Sequence, residues 1–520
     1  MQAAPSRSHW WPTVGVLLGV LNIAIPSMMR GLGTDLARIQ WVQTGYQIAQ
    51  VVMIPAVGWL GAQLGTKRLY LLAMLAFMGS SCLCGLAWDV NSLIFFRVLQ
   101  GLASGPIMPL GMSILHSTFP PEKRGFAMGL SNFSFSFGPA VAPALGGHLI
   151  EILNWRVIFY INVPIGLLCI AIVYFMMPPT EDRQARPFDA IGVFSMAGFL
   201  VLLLLALSEG RRYGWHSPSL VAMLVAAGIL LIVFIVAELT TDVPFVELRL
   251  YQNSTFAMGC LISFLITMEF RGTNFLLPIM LQRIYHYPPF QAGLFFLPPA
   301  LLMGMMSIVS GRLADRFPPK ILLVSGLVAL IYASLQFCTI EVGTTGAVLL
   351  GLILMRRGAQ SFCNTPLTLF SLRHIPDEQL RMATGLFSLH RNLAGAVGVA
   401  LSATLLGARE ELHQVRYADR QMLYPMGLEH ATEIIREFLV QSGQAGAALN
   451  RMTTAVLHQR LVERAAMASY HDLFAMFAIL AVVCLVPVLL LRSGQNVTSS
   501  REHTPSRIKA EKPSKTSERR

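Results

Sequence analysis

Only one carboxylate in this 520-residue chain sits well inside a long apolar run: Glu269, within the stretch 255–281. The other acids lie in polar segments or within about a helical turn of the ends of such runs. A carboxyl in apolar surroundings resists ionisation, so it can take up a proton on one side of a barrier and release it on the other. Three roles are open to it: proton carrier, fixed partner of an arginine from another segment (Arg391, Arg357 or Arg97), or contact for a cationic substrate. Arg271 is two positions on, about 200° around a helix, so the two cannot pair closely on their own helix.

Other polar side chains recur at helical spacing inside apolar runs: Gln43, Gln47 and Gln50; Asn132 and Ser136; Arg357, Gln360, Ser361 and Asn364; Ser388, Arg391 and Asn392. Each set lies on one face of its helix. Together with Asn22, Arg271 and Asn274 they can wall a substrate cavity, and hydrogen bonding between helices is an equal reading for any single member. The 26 methionines and 30 phenylalanines offer an adaptable apolar surface, but most serve as packing or lipid-facing groups and specify no substrate.

The elements that must carry these side chains follow from composition. Charged residues are 13% of the chain and hydrophobic ones 54%, with a mean hydropathy of +0.59, so the chain is solvated by lipid. Apolar runs such as Met74 to Trp88, Ala190 to Ser208, Leu220 to Ala237 and Leu473 to Leu491 approach the roughly 20 residues that cross hydrocarbon. Spans of this kind must be helical, because lipid offers no partner to a bare backbone. Punctuation by Gly, Pro and charge divides the chain into about fourteen spans, near 12–30, 41–64, 69–88, 92–118, 123–150, 157–177, 189–208, 219–239, 255–281, 290–311, 321–341, 345–372, 382–407 and 470–491. The first run, from Trp10, has no small-residue cleavage site and reads as a retained span. All seven cysteines fall in spans and read as buried thiols, neither disulfides nor metal ligands.

Lys67, Arg68, Lys123, Arg124, Arg312, Arg316, Lys320, Arg373, Arg381 and the basic tail share one side, whereas the opposite short loops carry few cations, among them Arg30, Arg38, Arg156 and Arg283. That bias places both termini in the cytoplasm. Gly58 to Arg68 (GWLGAQLGTKR) and Gly311 to Lys320 (GRLADRFPPK) occupy equivalent span exits, so the chain reads as two parallel halves, 1–178 and 253–492, joined by two extra helices within 179–252. A polar insertion, 408–469, reads as a periplasmic helical hairpin or cap, and 493–520 as a disordered cytoplasmic tail.

Several of these features coincide with a known family. The Gly58 and Gly311 segments resemble the signature loop between the second and third spans of each half in the major facilitator superfamily. Gly58, Gly65 and Arg68 match in the first copy, and Gly311, Asp315 and Arg316 in the second. Ala62 replaces the acid of the first copy and Pro318 a glycine of the second, so a charge latch that breaks during rocking is expected in the second half. Leu93 to Gly101 (LIFFRVLQG) is similar to the fourth-span motif, in which an arginine, here Arg97, is tied to proton coupling. Gly138 to Gly147 (GPAVAPALGG), with Pro139, Pro143, Gly146 and Gly147, resembles the antiporter motif of the fifth span. Trp155 to Gly166, Leu276 to Gln282, Ala292 to Pro298 and Arg381 to Gly398 extend the resemblance to the fourteen-span drug:proton antiporters, the EmrB/QacA-like group. In that group an acid precedes the N-x-A-x-P ending of the first span. Asn22, Ala24 and Pro26 match the ending, but Leu17 stands in the acid's place.

The resemblance implies an all-α integral membrane protein of the inner membrane, with two six-helix halves plus two central helices. It further implies export of small hydrophobic compounds by alternating access, powered by the proton motive force, with no bound cofactor. Expected partners are the bilayer, a small-molecule substrate and, in a two-membrane bacterium, a periplasmic adaptor and an outer-membrane channel. A solute:proton symporter of the same fold and a non-transporting membrane sensor are the alternatives. No phosphate-binding G-x-x-x-x-G-K-[ST] loop, H-E-x-x-H or G-x-S-x-G occurs, which argues against a primary pump or a hydrolase, and the scattered cations argue against nucleic acid.

Overall fold

In a computed structural model the chain is described over residues 24–25, 27–133, 152–176, 189–241, 244–373, 375–376, 379–423, 432–437, 440–441 and 446–490; among these there are helices and no strand. The first half contributes α1 (Leu36–Met53), α2 (Ala56–Leu64), α3 (Thr66–Gly85), α4 (Val90–Ser104), α5 (Ile107–Thr118), α6 (124–133) and α7 (Asn162–Met176). Two linker helices follow, α8 (Ala190–Tyr213) and α9 (Pro218–Thr240). The second half contains α10 (Ser254–Arg283), α11 (Leu297–Ala314), α12 (Pro319–Phe337), α13 (Gly346–Leu372), α14 (Leu380–Leu423) and α15 (Gly446–Leu490).

Among the described residues ten helices are long and apolar enough to cross a membrane, or eleven spans if the α1/α2 pair, bent by 60° at Ile54–Pro55, is one. Proline explains the bend: it removes a backbone donor and its ring clashes with the preceding turn. Helix α13 has spanning length, yet Arg356 and Arg357 at its middle make it less apolar than the others. Of the expected spans, 12–30 and 123–150 fall largely outside the described residues.

The repeat seen in sequence has a matching structure. Lys67 and Lys320 stand at equivalent places after α2 and α11; the Nζ of one donates to the Tyr174 carbonyl at 2.8 Å and that of the other to the Leu489 carbonyl at 2.8 Å. In each half, then, a lysine satisfies a carbonyl in the last turn of that half's final helix, where orphan acceptors and the negative dipole end gather. Gly65, between α2 and α3, has φ of 80°, which explains why the turn needs glycine.

Separate apolar clusters fill each half, around Val42, Leu93 and Phe159 in the first and around Leu277, Phe337 and Phe474 in the second. A third cluster joins α1, α5, the linker helices and α14 through Ile54, Met112, Leu200, Phe234 and Leu386. The linker helices therefore pack along the seam between the halves.

The described parts of the 408–469 segment are helical and continuous with the spans on either side. No helix ends at Ala408: α14 runs 44 residues and α15 45, each about 66 Å long and about twice the hydrocarbon thickness. From Ala408 to Leu423 the chain carries good helix formers and neither Gly nor Pro, so propensity continues the helix once hydrophobicity stops. The two are tied where they leave the apolar region by Asp472, which meets His413 at 2.8 Å and Arg409 at 3.5 Å. The expected helical stretch Glu429 to Gln441 is described as helix only at 432–437 and 440–441.

Candidate functional site

Glu269 lies at the middle of α10 on a strip with Ile262, Ile266, Thr273 and Leu276, all buried. That strip faces α13, and the group it meets there is Arg356. The guanidinium contacts Glu269 Oε1, donates from Nη2 to Thr273 Oγ1 at 2.6 Å and from Nη1 to Ser334 Oγ at 2.7 Å. Gln360 Nε2 donates to Glu269 Oε2 at 3.2 Å, and Thr273 Oγ1 donates to Oε1 at 3.3 Å. Both charges are almost wholly buried, at 1% and 2% exposure. The pairing corrects the expected partners: Arg391, Arg357 and Arg97 are not used. Arg356 and Arg357 are neighbours, but about 100° of helical rotation separates them, and Arg356 is the one that reaches Glu269 on α10 and Ser334 on α12. Sequence reasoning missed Arg356, Thr273 and Ser334, although the i, i+4 pairs Glu269/Thr273 and Arg356/Gln360 are its trace in the sequence.

Arg97 is also buried, at 2% exposure, and it has no carboxylate among the described residues. Its Nε donates to the Val42 carbonyl at 3.0 Å, its Nη1 to Gln100 Oε1 at 2.7 Å, and the guanidinium lies 4.1 Å from the centre of the Tyr46 ring. Carbonyl, amide and aromatic face together compensate the buried charge. The shared face of Arg97, Gln100, Gly101 and Ser104 therefore points into the first half, and all four are buried.

The remaining expected cavity residues divide into two groups. Gln360 belongs to the ion-pair cluster, and Asn132 Nδ2 bridges the halves by donating to Thr365 Oγ1 at 2.9 Å. Gln47 and Arg271 are exposed, and Gln43, Asn274, Arg357, Asn364 and Arg391 half-buried. Arg357 lies two turns before Asn364, beside the Thr365 that meets the first half, and Arg391 lies one turn after Ser388, which reaches Met112 of α5. Those two faces look across at the first half. Asn22, Pro139, Pro143, Gly146 and Gly147 lie outside the described residues.

The signature loops hold the halves together at the end carrying the basic loops. Asp315, at the end of α11, accepts from the backbone N–H of Gly125 at 2.7 Å and of Phe126 at 3.0 Å, at the start of α6. The carboxylate thus meets a helix N-terminus, with its orphan donors and positive dipole end, rather than a basic side chain. Close approach makes this possible: a Cβ on Gly311 would stand 2.1 Å from the Gly125 carbonyl. Arg312 lies over the Phe126 ring at 4.9 Å, and Arg316 and Arg68 are exposed. In the first copy Gly58 packs on Met382, and Arg381 Nη1 donates to Thr66 Oγ1 at 3.2 Å, with Ala62 in the acid's place. Partial burial and the nearby Glu122 charge lift Asp315 above the usual carboxylate range, against the lowering effect of its two N–H donors.

A family model described as Major Facilitator Superfamily matches residues 13–399. The Multidrug export protein EmrB of Haemophilus influenzae is 31% identical over 458 residues, 88% of this chain and 88% of that protein. The Fatty acid resistance protein FarB of Neisseria gonorrhoeae is 28% identical over 478 residues, 91% of this chain and 92% of that protein. Among solved structures, that of the human organic anion transporter MFSD10 (TETRAN) superposes with a TM-score of 0.59 at 15% identity, covering 92% of this chain and all of that one.

Two outcomes follow from this geometry. Glu269→Gln strands a buried guanidinium and lowers stability by about 3–5 kcal/mol, while adding Arg356→Met recovers part of the loss; strictly additive effects in thermal unfolding of the four proteins would show that the pair does not exist. At the latch, an acid with a raised value in the closed form binds its proton there more tightly than when open. Closure is therefore fully favoured below the open-form value and weakens as pH rises through the closed-form value. Spin labels placed on α5 and α14 should report more open basic ends as pH rises, a trend that Asp315→Asn removes; an identical trend in that variant refutes the role of Asp315.

Proposed function

Because the chain belongs to the Major Facilitator Superfamily, we propose that it is a secondary exporter moving small hydrophobic or drug-like compounds out of the cytoplasm in exchange for protons. The observation that carries the reading is one-sided closure. The described contacts between the halves, from Ile54–Gly385 and Met112–Ser388 to Gly125–Asp315, gather at the basic end, while polar side chains at mid-depth stay accessible. A basic end on the cytoplasmic side makes this the form open to the outside, and rocking about the seam exchanges it for the opposite form. The full fold in this reading has fourteen spans and both termini cytoplasmic, in the inner membrane of a two-membrane cell.

Export is favoured by the names of the relatives, which are a multidrug export protein and a resistance protein. Proton exchange is assigned to Glu269, the mid-membrane carboxylate, and requires that its bond to Arg356 open during the cycle. Arg97 and Arg391 then act as fixed charges that bias the step. The projecting ends of α14 and α15 extend beyond the span and form the docking surface for a periplasmic adaptor feeding an outer-membrane channel.

Inverted vesicles with an imposed pH gradient test this directly. Wild type should accumulate a lipophilic drug and lose it when the gradient is dissipated. The Glu269→Gln/Arg356→Met protein should let the drug equilibrate but not concentrate. Undiminished accumulation by that variant moves the proton path elsewhere, and no accumulation by wild type defeats export itself. Removal of residues 418–451 should spare vesicle transport and abolish drug resistance of intact two-membrane cells; resistance that persists rules out docking at these helix ends.

A further inference from the structure

At mid-depth the spans carry five arginines, Arg97, Arg271, Arg356, Arg357 and Arg391, against the single carboxylate of Glu269. Arg356 takes that carboxylate, and Arg97 is enclosed by Val42, Gln100 and Tyr46. Arg271, Arg357 and Arg391 remain, one each from α10, α13 and α14. Arg357 lies 5.0 Å from the Phe270 ring, and among the described residues the side chains of the three make no ion pair or hydrogen bond. The side chain of Arg271 runs along Gly395, one turn from Arg391 on the same helix, close enough for the two charges to repel.

All three are accessible, yet they lie about 16–26 Å along their helices from the basic end, inside the hydrocarbon. A guanidinium facing lipid there is costly, and Arg357 and Arg391 face the other half. Three uncompensated cations on α10, α13 and α14, two of them close together and the third over the Phe270 ring next to Arg271, raise the local potential and favour an anion over a cation of equal shape. Planar guanidinium forks suit a carboxylate or sulfonate, Phe270 beside Arg357 offers an aromatic face, and Asn274 one turn from Arg271 offers a neutral donor.

We propose that Arg271, Arg357 and Arg391 form the recognition site for the anionic head of an amphipathic organic anion, the apolar body of which lies between the halves. The inference rests on the exporter reading for its physiological meaning, but binding can be tested without transport.

The full-length protein in nanodiscs is titrated with pyrenebutyrate, pyrenebutanol and the trimethylammonium analogue, which share one apolar body and differ in head charge. Pyrenebutyrate should bind saturably and at least tenfold more tightly than the other two. Arg271→Gln and Arg391→Gln should each weaken it at least tenfold, with pyrenebutanol changing less than twofold, and Arg391→Lys should retain most of the affinity. Removing an uncompensated charge should leave the unfolding midpoint equal or higher. Equal binding of the three probes, preference for the ammonium, or full pyrenebutyrate affinity in Arg271→Gln/Arg391→Gln overturns the proposal. The wild-type ranking decides the charge preference even if a variant fails to fold. Gradient-driven uptake of pyrenebutanol into inverted vesicles separates the two readings: uptake without anion preference leaves the exporter and removes the site, whereas anion preference without any uptake does the reverse.

Discussion

The cost of a charge in hydrocarbon governs the arrangement of this molecule. Removing a guanidinium or carboxylate from water costs several kcal/mol, so each mid-membrane ion must find a partner, a polar nest or an aqueous space. The chain uses all three. Glu269 and Arg356 neutralise each other within a set of four hydrogen bonds, Arg97 rests on a carbonyl, an amide and an aromatic face, and the other three arginines stay accessible. The first two solutions fix the interiors of the halves. The third cannot be met inside either half, and so marks where the halves must separate.

The two copies of the signature loop have divergent physics for related tasks. Both place glycines where helices of opposite halves touch, and both use a lysine to close the last helix of their half. Only the second retains an acid aimed at a helix N-terminus. With Ala62 in the first copy, closure there relies on the packing of Gly58 against Met382 and on the Arg381–Thr66 hydrogen bond. Neither contact uses a group that changes charge near neutral pH, since an arginine stays protonated. Of the two signature-loop copies, the second therefore carries the titratable acid of the latch, Asp315, on one side of the pseudo-symmetric pair.

Much of this was legible in the residues themselves. Apolar length predicts the helices, because backbone satisfaction in lipid leaves no alternative, and the i, i+3, i+4 stripes predict which faces are polar. The partner of Glu269 was not legible, since adjacent arginines differ by about 100° and only the rotation of α13 decides which one turns inward. For the same reason Gln360 joins the ion pair while Asn364, on the same stripe, stays accessible. The long extensions of α14 and α15 escape a hydropathy reading because helix propensity and hydrophobicity part company after Ala408: the segment is charged, so it resembles a loop, yet nothing in it breaks a helix.

Leu17 in place of the acid expected in the first span leaves the first half one negative charge short, and among the described residues no carboxylate meets Arg97. The mid-membrane charge is then strongly positive in the empty protein. Closing the accessible space around uncompensated arginines withdraws them from water at full cost, whereas closing it around a bound anion withdraws neutralised pairs. On the anion-site proposal, the substrate supplies the counter-charge that the sequence omits, and the loaded protein crosses between its two forms more readily than the empty one. Selectivity and alternation would then have one origin, the excess of arginine over carboxylate at the centre of the spans.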